Sequence, residues 1–381
     1  MLNIGLKFRQ ESIAIVDIGP GTVRAALVSD HSDAIHVHAQ TYSLISIETE
    51  TPEHSIAAIG ERIDDACKRL LDLAGQKGIT GHIKTVYCVI HAPWAHSMTV
   101  RKRVDYQTET RIHDSHISGI AKEMLADIKG VDMQSMMEAA VVRTWLNGYP
   151  VTAPEGKSAH SLVVSAIVSD IDQTVKKNAE AAIHRAFPSS NIEWRSAARA
   201  MQLTLGAAYR DDENYLAVDM GMDTTHLISV RDGFPSGERI VPQGLRTILT
   251  RIDPKRVAEE TLGLIRMLSR DACEGGACDA IQKAMATAEP ELAKIFGEAL
   301  GGLAAQRRLA NTLVLSANPD IIDWMKQFFS RLDFTQFTAT TLPFTVIPYD
   351  ASTPVVRVTS DELLHPQLVI DSALVNTELH E

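Results

Sequence analysis

Apolar and polar positions change their period along the chain, and those changes mark out its elements. Residues 12–17 (SIAIVD) are an apolar run that stops at Asp17. A glycine-rich corner follows, and a second run fills 23–28. Short apolar runs bounded by glycine read as strands, and a third at 34–40 completes an antiparallel meander. Over 54–74 the spacing becomes helical, with Ile56, Ile59, Ile63, Ala66, Cys67 and Leu70 on one face and Gly75 where a helix ends. From residue 84 the stretches TVYCVIHAP and SMTVRKRVDY read as strands. A helix is expected from Asp114, with Ile117, Ile120, Met124 and Ile128 on one face. AVVRTWLNGYP and SLVVSAIV follow as strands, and a second helix is expected from Asp170, carrying Ile171, Val175, Ala179, Ala182 and Ala186.

The second half repeats the first in outline. LAVDMGMDTTHLISV (216–230) has the same V-D-x-G corner between two apolar runs as AIVDIGPGTVRAALVS (14–29), and 239–241 reads as a third strand. Helices dominate 254–309, with one stripe of Val257, Thr261, Leu264, Ile265 and Leu268 and another of Leu292, Ile295, Phe296 and Leu300. NTLVLSANPD then reads as a strand ending in a small-residue loop, and IIDWMKQFFSRL as a helix. One such corner is a turn, whereas two with matching flanks suggest a duplicated site.

Composition narrows the function. The chain has 381 residues, enough for two domains, and its formal charge of −11 with no basic cluster disfavours a protein that reads nucleic-acid backbones. The first residues, MLNIGLKFRQESIAIVDIG, lack an apolar signal core, and no later run is long enough to span a bilayer, so a cytoplasmic protein is expected. Cys67 and Cys88 read as core residues. Cys273 and Cys278 lie close together in DACEGGACDA, but with no second pair or nearby histidine they make a poor zinc site. His36 and His38 share one face of a strand, with His31 near them. They are candidate ligands or simply polar surface residues.

A strand ending in aspartate at a glycine turn puts a carboxylate beside backbone amides that approach a phosphate closely. If two such corners face each other across a cleft, each grips one side of a polyphosphate. Asp17 and Asp219 then hold hydrated magnesium, which prefers carboxylates, water and phosphate oxygens. Arg24 would neutralise phosphate charge, and Thr22, Thr224 and Thr225 offer hydroxyl donors. Read alone, either corner is a common turn and Arg24 a solvated strand residue.

On these residues the chain resembles the actin-like ATPase superfamily. DIGPGTVRAALV is similar to its first phosphate hairpin and DMGMDTTHLISVRDG to its second. Within the superfamily the likeness is to the FtsA cell-division and PilM type IV pilus assembly families, whose first domain carries an inserted module. LNGYPVTAPEGKSAHSLVV is similar to the end of that insert, and IVPQGLRTILTRI to the segment after the second hairpin. The resemblance implies an α/β, actin-like (ribonuclease H-like) duplicated two-domain fold with a small α+β module inserted in the first domain. It divides the chain into 1–83 and 166–212 as the first domain, 84–165 as the insert, 213–253 and 310–381 as the second domain, and 254–309 as a helical subdomain. It also implies ATP and magnesium held by Asp17, Gly19, Gly21, Thr22, Arg24, Asp219, Gly221, Thr224, Thr225 and Gly244, with Ser316, Ala317 and Asn318 as the adenosine loop.

The chain departs from the family at several places. Pro20 removes an amide donor from the first phosphate loop, and Met222 and Asp223 replace small residues in the second. Ser316, Ala317 and Asn318 stand where glycines are common. Over 195–200, where many relatives carry a Glu or Gln that orients the attacking water, the chain reads RSAARA. The resemblance therefore implies nucleotide binding ahead of hydrolysis, with at most a weak ATPase. Three functions stay open. The first is an ATP-binding scaffold or filament at the inner face of the cytoplasmic membrane, its 84–165 module taking the cytoplasmic segment of a division or pilus protein. The second is a nucleotide-free scaffold, and the third a sugar kinase of the same superfamily. The acidic end, ALVNTELHE, favours the PilM-like arrangement, in which a partner supplies the membrane link.

Overall fold

The computed structural model describes residues 12–32, 34–44, 52–79, 81–208, 214–270, 272, 275–305, 307–349, 355–359 and 364–380. The first residues, used above to infer location, and Cys273 lie outside these.

The first meander forms as expected from β1 (Ser12–Gly19), β2 (Thr22–His31) and β3 (Ala34–Leu44). After α1 (Pro52–Gln76), β4 (Ile83–Ile90) pairs in parallel with β1, matching Asp17 to Val89. Ile59, Ile63, Ala66, Cys67 and Leu70 of α1 pack against Ala14, Val16 and Ile18 of β1. Alternation along β1 then sends Ile13, Ile15 and Asp17 to the opposite face. Cys67 and Cys88 are buried in this core, as expected, and burial pushes both thiols up, Cys67 to about 12.

The insert contains β5 (Ala95–Arg111), α2 (Asp114–Asp127), β6 (Met136–Leu146), β7 (Tyr149–Val151) and β8 (Ser158–Ile171), its sheet running β5-β8-β6-β7. One face is covered by Ile120 and Met124 of α2. Two boundaries differ from the sequence reading. β4, assigned above to the insert, is a central strand of the first sheet, because its apolar residues are buried between β1 and β9. The helix expected from Asp170 starts later, as α3 (Gln173–Ala186). β8 runs on through Ile171, and the Asp172 carboxylate caps the helix by accepting from the amides of Thr174 and Val175 at 2.8 and 2.9 Å.

The chain continues through β9 (Asn191–Ser196) and α4 (Ala197–Ala208) into the second meander, β10 (Tyr215–Met220), β11 (Thr225–Arg231) and β12 (Phe234–Val241). Next come α5 (Leu245–Ile252), α6 (Ala258–Ser269) and α7 (Gly276–Ala304). After them come β13 (Thr312–Ser316), α8 (Ile322–Phe329), a 3-10 turn (Leu332–Phe337) and β14 (Thr345–Pro348). The second sheet runs β12-β11-β10-β13-β14, with the antiparallel meander and parallel continuation of the first. Leu292, Phe296 and Leu300 of α7 meet Phe328, Phe329 and Phe334 in its outer core.

The last elements, β15 (Val356–Val358) and α9 (Pro366–His380), correct the assignment of 310–381 to the second domain. β15 pairs in parallel with β3, and α9 lies against β1, β2 and β3. α9 and α4 form the layer between the two sheets. Ala200, Met201 and Leu205 of α4 and Ile370 and Leu374 of α9 share one core with Val89 of the first sheet and Ala217, Ile228 and Val314 of the second. The sequence pattern could not show this return, because α9 buries Gln367, Asp371 and Ser372 along with its apolar residues and so presents no single apolar stripe. Replacing the fully buried Leu374 by alanine is expected to cost about 2–5 kcal/mol of stability, read as a fall in the urea midpoint, whereas a loss under about 1 kcal/mol would contradict the sandwiched helix.

The inter-lobe cleft as candidate functional site

Both V-D-x-G corners open onto one cavity of about 270 Å³ between the lobes. Its walls include Gly19, Gly21, Thr22 and Arg24 from the first hairpin and Asp219, Gly221 and Thr224 from the second. Ser316, Ala317 and Asn318 line it from the end of β13. Parallel pairing of β13 with β10 sets Ser316 beside Asp219, which brings the small-residue loop to the second corner.

Three expected site residues do not line this cavity. Asp17 is wholly buried beneath it, because α9 covers the face of β1 to which alternation directs its side chain. Thr225 is buried, and its hydroxyl donates to the carbonyl of Gln243 at 2.6 Å. Gly244 caps α5, its amide donating to Thr247 Oγ1 at 2.9 Å. A Cβ at Gly244 would come within 2.5 Å of the Met222 carbonyl, so its glycine answers a backbone crossing.

Asp17 is engaged on both oxygens. Arg24 Nη1 donates to Oδ1 at 2.5 Å, and His91 Nε2 lies 2.5 Å from Oδ2. Burial alone would raise the Asp17 carboxyl, but His91 and Arg24 outweigh it and hold the group well below the usual carboxylate range. Asp371, also fully buried on α9, is pushed well above that range by burial and by the Asp17 charge. Gln367 Nε2 donates to Asp371 Oδ1 at 3.3 Å. Arg24 Nε lies 3.3 Å from His365 Nε2, and burial with the Arg24 charge pushes His365 down to about 4. Asp17 is therefore not placed to hold hydrated magnesium, which corrects the first half of the paired-carboxylate reading.

The gap between the hairpins is narrowed from the second lobe. A Cβ at Gly21 would lie 2.3 Å from Met222 Cε, so the methionine rests on the first phosphate loop. Asp223 pairs with Arg246 Nε at 2.8 Å, and Arg246 Nη2 reaches the carbonyl of Pro20 at 3.4 Å. The amides of Leu245 and Arg246 are taken by the carbonyls of Gly221 and Met222, at 3.0 and 2.8 Å. Asp219, which pairs across its hairpin with His226 as Asp17 does with Arg24, lines the cavity without an ion-pair partner among the described residues.

The remaining wall is hydroxylic. Ser97, Ser196, Ala197 and Ala198 line the cavity, with Glu138 of the insert buried behind them. Glu138 accepts from the Ser196 amide at 3.0 Å and the Ser169 hydroxyl at 2.9 Å. It also accepts from the Ser196 hydroxyl and pairs with Arg199 at 3.3 Å. Arg199 and Arg195 both reach Glu378 of α9, at 2.9 and 2.7 Å. Sequence reasoning missed Glu138, His91, His365 and Asp371. His91 alone carried a signal, being the first polar residue after an apolar strand, as Asp17 is. Among the described residues no group of three or more His, Cys, Asp or Glu side chains could hold a metal ion. His31 and His36 instead stack at 3.9 Å, and His38 meets the Ser29 hydroxyl at 2.7 Å.

No family model and no curated protein matches the sequence. Solved structures do match. A chain from a PilM–PilN type IV pilus biogenesis complex aligns over 97% of this chain and 98% of its own length, with a TM-score of 0.59 at 14% identity. An ethanolamine utilization protein EutJ from Carboxydothermus hydrogenoformans covers 98% of this chain and 92% of its own, with a TM-score of 0.46 at 10% identity. An exopolyphosphatase from Cytophaga hutchinsonii covers 80% of this chain and 66% of its own, with a TM-score of 0.35 at 11% identity. The chain has the duplicated, two-domain actin-like fold of α/β class, and within that fold it resembles PilM. No helix among the described residues is long and apolar enough to cross a membrane.

Two histidines, His38 buried and His365 half-buried, give the fold a pH dependence with a defined sign. His365 and His38 are both pushed down to about 4, chiefly by burial, against 6.5 when exposed. As pH falls the unfolded chain takes up these protons first, so their contribution is present above pH 6.5 and is lost on the way to pH 4. The urea midpoint at about pH 4.5 is expected to lie below that at pH 7, and a His38→Gln, His365→Gln variant should show a smaller drop. Equal drops in the two proteins would remove these histidines from the account.

Proposed function

We propose that the chain is a partner-binding scaffold with an actin fold, of the PilM kind, which does not depend on hydrolysing nucleotide. The observation that carries this reading is the state of Asp17, buried with both carboxylate oxygens held by Arg24 and His91. Magnesium with ATP bound through Asp17 does not fit these residues. Nor do Ser196, Ala197 and Ala198 offer a carboxylate or amide to orient an attacking water or accept a sugar hydroxyl proton. That weakens the sugar-kinase reading as well.

In this proposal the inserted module takes a cytoplasmic segment of a pilus or division protein, and that partner brings the chain to the inner face of the membrane. The likeness to a PilM–PilN complex supports this only through shared fold. The ion-pair system joining Glu138 of the insert to Arg199 and Glu378 would hold the module rigidly for docking.

A second reading has its own observation. Asp219 lines the cleft without an ion-pair partner among the described residues, beside Ser316, Ala317 and Asn318, where an adenosine moiety is expected. There ATP would bind with magnesium held from the second lobe alone. Calorimetry with magnesium and a non-hydrolysable ATP analogue at millimolar concentration separates the two. The scaffold reading expects a flat trace. Saturable heat that Asp219→Ala weakens by about tenfold, equivalent to about 1.4 kcal/mol, would establish the second reading in its place.

A further inference from the structure

The two lobes are joined at more than one place. Residues of α4 and α9 fill the layer between the sheets, and the Thr99 amide of the insert donates to Glu238 Oε1 of β12 at 3.2 Å. The tips of the two hairpins make a further junction. There the Met222 side chain lies along the backbone of Gly21: a Cβ at Gly21 would fall 2.3 Å from Met222 Cε, 2.7 Å from its Cγ and 2.9 Å from its Cβ. The φ of Gly21 lies outside the left-handed region, so the methionine packed on it, and not the turn, is what requires glycine there. Beside this contact Arg246 makes a bridge. Its Nε meets Asp223 Oδ1 of its own lobe at 2.8 Å, and its Nη2 donates to the carbonyl of Pro20 in the other lobe at 3.4 Å.

Several donors that a phosphate would use at these corners are engaged or missing. Pro20 has no amide hydrogen. The Gly221 amide donates to the carbonyl of Thr224 at 2.9 Å, and the first two amides of α5, those of Leu245 and Arg246, donate to the carbonyls of Gly221 and Met222. A Cβ at Gly244 would lie 2.5 Å from the Met222 carbonyl carbon, so Met222 is held from behind by the start of α5 while its side chain reaches the first lobe. In a two-lobed cleft, a ligand gripped from both sides is the usual link that holds the lobes closed. Here protein atoms already span that gap.

We propose that Met222, packed on Gly21, and Arg246, joined to Asp223 and to the Pro20 carbonyl, form a clasp that holds the two lobes closed with no ligand between them. Methionine suits this place, because its unbranched thioether fills an irregular gap and needs no hydrogen-bond partner. Asp223 orients the guanidinium toward the opposite tip through a charge-assisted contact. The inference rests on the scaffold reading, in which the lobes need no nucleotide to set their relation, and it makes the closed cleft a property of the chain itself.

Small-angle X-ray scattering and amide hydrogen exchange on the full chain test it. The wild type should show one radius of gyration with and without magnesium and a non-hydrolysable ATP analogue. Met222→Ala with Arg246→Gln should show a larger radius, with the circular dichroism spectrum unchanged, and exchange about tenfold faster in the unaltered first hairpin, residues 18–23. Met222→Leu should keep the wild-type radius. Should the double variant fail to fold, Met222→Ala alone carries the same test. An unchanged radius in the variant, whether or not exchange at the corner quickens, would overturn the clasp and leave the α4 and α9 layer to hold the lobes, with the scaffold reading intact. A wild type that contracts only when magnesium and the analogue are added would overturn both, because nucleotide would then close the cleft.

Discussion

The carboxylate of Asp17, buried and held between Arg24 and His91, is the interaction on which the rest of the first lobe depends. It draws together three stretches far apart in sequence: the first hairpin, the segment just after β4, and α9. An ionised carboxylate taken out of water is costly unless partners meet both oxygens, and here a guanidinium and an imidazole do so. The arrangement raises the carboxyl of the neighbouring Asp371 and leaves Arg24 and His91, not Asp17, at the cavity wall. One buried charge thus decides what the cleft can offer a ligand.

The two lobes share their topology in outline but not their chemistry. Asp17 faces Arg24 across the first hairpin, and Asp219 faces His226 across the second. The first pair is sealed under α9, whereas the second opens on the cavity. Met222 and the contact of Arg246 with Pro20 draw the hairpin tips toward each other. On the far side of the same wall, Glu138 connects the insert to β9, α4 and α9 through serine hydroxyls and two arginines. The cleft and the inserted sheet are therefore joined through one network of ion pairs and hydrogen bonds.

Much of this was legible in the residues, and the exceptions have physical causes. The strand meanders were readable because continuous apolar runs broken by glycine admit few other structures. The α1 face, from Ile59 to Leu70, was readable because one helix packs on one sheet. Thr225 and Gly244 were misassigned because a hydroxyl and a glycine serve a ligand or a backbone crossing equally well, and the motif does not tell which. The placement of β4 was missed because an apolar strand next to an insert carries no mark of which sheet it joins.

By itself the sequence determined that two like halves each turn a strand at an aspartate, that a smaller module interrupts the first, and that Ser316, Ala317 and Asn318 close a strand of the second. Local periodicity and turn chemistry fix such features, since they depend on neighbours a few residues away. Only the tertiary structure decided that α9 comes back across more than three hundred residues to cover Asp17, and that Glu138 of the insert meets Arg199 of α4. Those outcomes depend on which buried faces meet, a choice made by packing the whole chain and written in no single stretch of it.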